Sequence, residues 1–246
     1  MWVGRAAFCL RQWPGTIWIT LRNVRPALLV SIDSALKEKC PRAALGCVTA
    51  TVIAHPAPEG LLAETQAAMQ KIAGLPEPKA VLEGPAITAT RRGYKALGKD
   101  PARYRGSAEA LLRRVISAKG LPQINAVVDV INLVSVESRL PIGLYDLAQV
   151  QGNIIFRAGR AGETYKGIGK YDLNLESLPL FADEAGPHGS ATSDSERTMV
   201  TAETTRVLAI LVSFGGAESL QGFTDRLSGL LEKYAGGREI TTAIVE

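Results

Sequence analysis

The chain has 246 residues, 46% hydrophobic and 21% charged, with a formal net charge of +4. That is an ordinary soluble balance able to bury a sizeable core, and no uninterrupted apolar run approaches the roughly 18 residues of a membrane span. Cys9, Cys40 and Cys47 have no metal-ligand spacing and are odd in number, which argues against a disulfide framework and for a reducing, cytoplasmic setting. With His55 and His188 the only histidines, a histidine-rich metal site or a Ser-His-Asp triad is poorly supported, and neither metal nor cofactor is expected.

Residues 1–27 hold Trp2, Trp13 and Trp18 with Arg5, Arg11, Arg22 and Arg25 and no acid. Their apolar stretches are too short and interrupted for a secretory signal. A poorly ordered arm without a role in the core activity is expected, either transit-like or added by an upstream start. "AALGCVTATVIA" (43–54) reads as a buried strand ended by "HPAPEG". "LLAETQAAMQKIAGL" reads as an amphipathic helix closed by Gly74 and Pro76. Further helices are expected at "AITATRRGYKALG", briefly after Asp100-Pro101, and at "AEALLRRVISAKG" with Ser107 as its cap.

"INAVVDVIN" (124–132) is β-rich in composition but interrupted by Asn125, Asp129 and Asn132. On a strand Asp129 and Asn132 would face opposite ways, whereas on a helix Asn125, Asp129, Asn132 and Ser135 form one polar stripe. The spacing therefore predicts a helix. After Pro141 short strands follow: "GNIIFRAGRAGETYKGIG" as a hairpin turning at Gly159–Gly162, then a strand in "LESLPLFADEAG" and a polar loop in "PHGSATSDSERT". "TAETTRVLAILVSF" is helix or strand, with Thr201 a cap if helical. "AESLQGFTDRLSGLLEKYAGG" is an amphipathic helix followed by a tail.

Charge is uneven. Residues 91–119 carry nine Lys or Arg against Asp100 and Glu109, a local net of +7, and residues 171–246 carry five against twelve acids, a net of −7. The basic block, with Tyr94 and Tyr104 interleaved, is either a solvated helix face or a surface for phosphate and stacked bases.

From about residue 88 to 214 the chain resembles the B3/B4 domain of the bacterial phenylalanyl-tRNA synthetase β chain, above all free-standing proteins that carry this domain alone. The matching words are "RRGYKALGKDPARYRGSAEALLRRVISAKGLPQINAVVDVINLVSVESRLPIGLYDL", "GETY" and "SDSERTMVTAETTRVL". The resemblance implies an α+β, three-layer fold with a β-sandwich-like core and flanking helices. Together with the unmatched arm (1–27) and the periodic C-terminal helix and tail (217–246), it suggests a strand and helix part (28–87), which resembles the family more weakly, and the B3/B4-like domain (88–216). It also implies contact with tRNA, and in the synthetase the domain hydrolyses the ester of tRNA mischarged with tyrosine. Carried over by motif, Asn132 falls on a pocket residue, and Asp194 matches a glutamate that reads the tyrosine hydroxyl. Where the synthetase has histidine eleven residues after that asparagine, this chain has Gly143, so tyrosine specificity is not carried over.

Three functions follow as expectations. In the first, a trans-acting aminoacyl-tRNA deacylase, Asn132 and Asp194 are catalytic and Asn125, Asp129, Gly143, Ser193 and Ser195 bind substrate, while Arg91, Arg92, Lys95, Arg113, Arg114 and Lys119 meet RNA phosphate. Against it stands a structural network for Asn125, Asp129 and Asn132. The second is a non-catalytic RNA-binding module. The third is a small-molecule pocket with room at Gly143 and a polar loop running from His188 to Ser195. RNA, rather than DNA or a membrane, is the expected partner.

Overall fold

The computed structural model describes residues 28–246; the expected arm at 1–27 lies outside the described residues. The helices are α1 (Ser34–Lys39), α2 (Glu59–Ala73), α3 (Pro85–Leu97), α4 (Ser107–Ile116), α5 (Ala126–Ser138) and α6 (Leu220–Tyr234). The strands are β1 (Val30–Ile32), β2 (Ala44–Thr51), β3 (Ile142–Asp146), β4 (Ile154–Ala158), β5 (Thr164–Lys166), β6 (Asp172–Asn174), β7 (Pro179–Asp183), β8 (Gly186–Ser190), β9 (Arg206–Ser213) and β10 (Arg238–Val245). They form one sheet in the order β1-β4-β7-β8, a second in the order β10-β2-β9-β3, and a small ribbon β5-β6.

The central strand β9 explains the layering. Leu208, Ile210 and Val212 turn to one side and pack with Leu45, Cys47, Ile154, Phe156 and Phe181, joining the two sheets face to face. Val207, Ala209 and Leu211 turn to the other, against Val127, Val130 and Val134 of α5 and Leu227 and Leu230 of α6. Because both faces are covered, β9 reads as an unbroken apolar run, which left its secondary structure ambiguous in the sequence. The result is the expected α+β fold: sheet on sheet with helices on the outer face of the second sheet.

The helix at "INAVVDVIN" is present, and Asn125 caps it: its side chain accepts the Val128 N–H at 3.0 Å. Several elements differ from expectation. Residues 154–166 are not one hairpin, because β4 pairs with β1 and β7 while β5 pairs with β6; the glycines at 159–162 carry the chain between sheets. Asp100-Pro101 starts only turns, with Asp100 accepting the Ala102 N–H. Gly106, not Ser107, precedes α4. The first third of the expected polar loop is strand β8, and Thr201 stands before a strand rather than a helix. The tail folds as β10, antiparallel to β2.

Candidate active site

Four elements meet around one cavity. α4 contributes Leu111 and Arg114, α5 contributes Val128 and Asn132, β3 contributes Ile142 and Leu144, and the segment after β8 contributes Thr192 and Asp194. Ile168, at the tip of the β5-β6 ribbon, closes another wall, and the volume is about 350 Å³. The walls are largely aliphatic, and among the polar side chains on them, which include Ser107, Arg114 and Thr192, two stand out.

Asn132 is the first. Residues 125, 129 and 132 share a helical face, yet only Asn132 reaches the cavity, and its buried Nδ2 finds no hydrogen-bond partner among the described residues. A buried donor left unpaired costs free energy, so it is unusual in a wall with nothing to donate to. Asp194 is the second. Its Oδ2 accepts the Leu144 N–H at 3.1 Å and its Oδ1 accepts the Tyr145 hydroxyl at 3.0 Å. Burial pushes its carboxyl up to about 7, against the opposing pull of those two donors, the Ser190 backbone and the more distant Lys170.

Tyr145 is the residue that sequence reasoning missed. A Cβ on Gly143 would stand 2.0 Å from its hydroxyl, and one on Gly189 2.3 Å. Two strands thus give up side chains so that this phenol can lie beside Asp194, and the room expected at Gly143 is already filled. The signal was available: on a strand, residues 143 and 145 lie on one face. Burial, then the adjacent Asp194, raises the Tyr145 hydroxyl well above its ordinary value, keeping it a protonated donor. His188 packs edge-on against the same ring, centroids 4.6 Å apart. Fully buried, with both ring nitrogens unpartnered among the described residues, it is pushed down to about 4 by burial and is neutral.

The remaining expected substrate contacts fall elsewhere. Asn125 is engaged as the cap of α5, and the carboxylate of Asp129 accepts the Ile124 N–H at 2.9 Å. Both hold the start of α5. The Ser193 carbonyl accepts from Tyr165 and Ser190. Ser195 Oγ is buried and unpartnered beside the β8 backbone, where its N–H bonds to the His188 carbonyl. None of these residues lines the cavity.

The basic block divides in the same way. Glu109, 5% exposed, takes Arg91 in two bonds of 3.0 and 3.1 Å, Arg113 at 2.9 Å and Arg105 at 3.4 Å. Burial works to raise its carboxyl, but the Arg91 and Arg113 contacts win and hold it below the usual range. Arg91 also reaches Glu83, so it is a structural cation rather than a free phosphate ligand. Tyr94 is fully buried with its hydroxyl on Thr192, and Lys99 covers the Tyr104 ring at 3.9 Å; neither ring is free to stack on a base. Arg92, Lys95, Arg113, Arg114 and Lys119 remain exposed, and Arg114 is at the cavity itself.

No group of three or more His, Cys, Asp or Glu among the described residues could hold a metal, and no described helix is long and apolar enough to cross a membrane. The fold and site therefore define an α+β domain with a largely aliphatic cavity whose polar groups include an amide and a carboxylate. Residues 89–229 match the B3/4 domain, and the chain belongs to that family. Relatives include the phenylalanine–tRNA ligase beta subunits of Bartonella henselae (33% identical over 140 residues, 55% of this chain and 17% of the relative) and Paramagnetospirillum magneticum (36% over 87 residues, 35% and 11%). The matches thus span a small part of those relatives' length. A solved N-terminal fragment of the phenylalanyl-tRNA synthetase beta subunit from Pyrococcus horikoshii aligns at 17% identity with a TM-score of 0.45, over 88% of this chain and 50% of the other.

Proposed function

We propose that the chain hydrolyses the ester of an aminoacyl-tRNA in trans. The observation that carries this reading is the unpartnered Asn132 amide on the wall of a cavity that also holds Asp194. Membership of a family shared with tRNA ligase subunits, and the exposed Arg114 beside the cavity, support tRNA as the carrier.

An aminoacyl ester is already activated, so a positioned water suffices without a covalent nucleophile. Asp194, with a value near neutrality, is matched to take a proton from that water as it attacks the ester carbonyl carbon. Asn132 Nδ2 donates to the carbonyl oxygen as negative charge builds there, the type of contact that counts most in acyl transfer. The carbon–oxygen bond to the ribose then breaks, Asp194 returns its proton to the departing ribose oxygen, and free amino acid and tRNA result. The exposed cations of α3 and α4 hold the phosphates, which predicts affinity falling steeply with salt.

The test is a deacylation screen over a panel of mischarged tRNAs, with Asn132→Ala and Asp194→Asn as controls. At least one ester should be hydrolysed well above the buffer rate, and both variants should lose that activity. If every mischarged tRNA decays at the buffer rate while salt-sensitive tRNA binding persists, the domain is a binding module instead.

A further inference from the structure

We infer that the cavity accepts an unsubstituted aliphatic amino-acid side chain, and that Tyr145 is the positioning residue that sets this preference by occupying Asp194. The inference rests on the deacylase reading for its substrate and goes beyond it in naming the amino-acid class. Three features carry it. Leu111, Val128, Ile131, Ile142, Leu144 and Val200 present only aliphatic carbon to the cavity, and no aromatic ring lines it. Both Asp194 oxygens already hold a donor, the Leu144 N–H and the Tyr145 hydroxyl. The Tyr145 hydroxyl in turn occupies the space that side chains at 143 and 189 would fill, so both strands are shaped to admit it beside Asp194.

A substrate hydroxyl entering this cavity would give up water and have to compete with the Leu144 N–H, the Tyr145 phenol and the attacking water for Asp194, so its own desolvation would be poorly repaid. An aliphatic side chain gives up nothing polar and gains the apolar walls. A pocket of this kind discriminates a matched aliphatic group from an isosteric hydroxyl by roughly 100-fold at most. A charged side chain fares worse, because taking an ion out of water costs far more than taking out a hydroxyl. Phenylalanine and tyrosine differ by a hydroxyl, so their comparison isolates the polar effect from ring size.

The experiment charges one tRNA body with leucine, valine, threonine, phenylalanine or tyrosine and measures kcat/KM for deacylation. Leucine or valine should lead, with threonine and tyrosine at least tenfold below valine and phenylalanine respectively. A tyrosine or threonine ester hydrolysed as fast as its unhydroxylated counterpart overturns the inference. In Tyr145→Phe, Asp194 loses its phenol donor. The tyrosine-to-phenylalanine ratio should then rise about tenfold, and the pH midpoint of the rate should move up; an unchanged ratio removes Tyr145 from the argument. Non-hydrolysable leucyl and tyrosyl amides of 3′-amino-adenosine, added to the intact protein, separate the two readings. Leucyl-selective binding of the amides, with every aminoacyl ester decaying at the buffer rate, refutes the deacylase and leaves the aliphatic subsite standing. Equal binding of both amides, or none, refutes the subsite.

Discussion

Two carboxylates, buried Glu109 and half-buried Asp194, have been given opposite surroundings. Glu109 lies within reach of Arg91, Arg105 and Arg113, and its charge is held. Asp194 meets a backbone N–H and a phenol, has no guanidinium in contact, and is pushed toward neutrality. A charge saturated by cations contributes to structure and is spent there; a carboxyl that titrates near neutral pH, on a cavity wall, can still exchange a proton. The same division runs along α5, where Asn125 and Asp129 are consumed by backbone N–H groups and Asn132 is left open.

The sharpest way to break this contrast is chemical. Asn132→Ala should lower deacylation by about 100-fold while leaving the thermal midpoint nearly unchanged; a comparable loss in Glu109→Gln at full stability would erase the distinction. That Glu109→Gln variant should instead lose about 2 kcal/mol of stability in urea titrations. This is below the usual 3–5 kcal/mol for a broken buried pair, because the arginine side chains are 26 to 45% exposed.

Next comes pH. Asp194 holds its proton more tightly folded, at about 7 against an ordinary 3.8, so its share of stability is full below 3.8 and is lost as pH rises toward 7. His188 acts the other way: its value falls from 6.5 to about 4, so stability is lost as pH drops through that window. From pH 5 to 7.5 the melting temperature of Asp194→Asn should therefore gain on the wild type, by roughly 5 °C. A gap that stays constant across that range would mean Asp194 titrates normally. The smallest effect belongs to the rim of the Glu109 cluster. Arg113→Ala should cost no more than about 0.5 kcal/mol of stability, since nearly half of its side chain is exposed to water, which screens the pair.

Much of this was legible in the sequence, for identifiable reasons. The polar stripe of α5 has helical period, and a helix formed there despite its valines and isoleucines. An asparagine directly before an apolar periodic run is also a cap signal, which would have assigned Asn125 to the backbone from the start. Strand β10 was lost in the tail because it is a half-exposed edge with an irregular register between Arg238 and Thr241, and its alternation is correspondingly weak. Asn132 and Asp194 are brought together by tertiary packing that no local spacing encodes; only the resemblance to the B3/B4 domain paired them. The neutralisation of Arg91 was equally invisible, because counting charges cannot tell a cation facing water from one facing Glu109.

The pairing of β2 with both β9 and β10 also bears on how the chain is made. β2 is among the first elements of the described residues to leave the ribosome, yet both of its neighbours lie at the far end of the sequence. Until residues 206–245 emerge, the apolar segment 44–51 has neither neighbour to pair with. Such long-range pairing folds slowly and exposes strand edges that can stick to other chains. A nascent chain stalled before β9 should therefore be a strong client for chaperones that shield extended apolar segments.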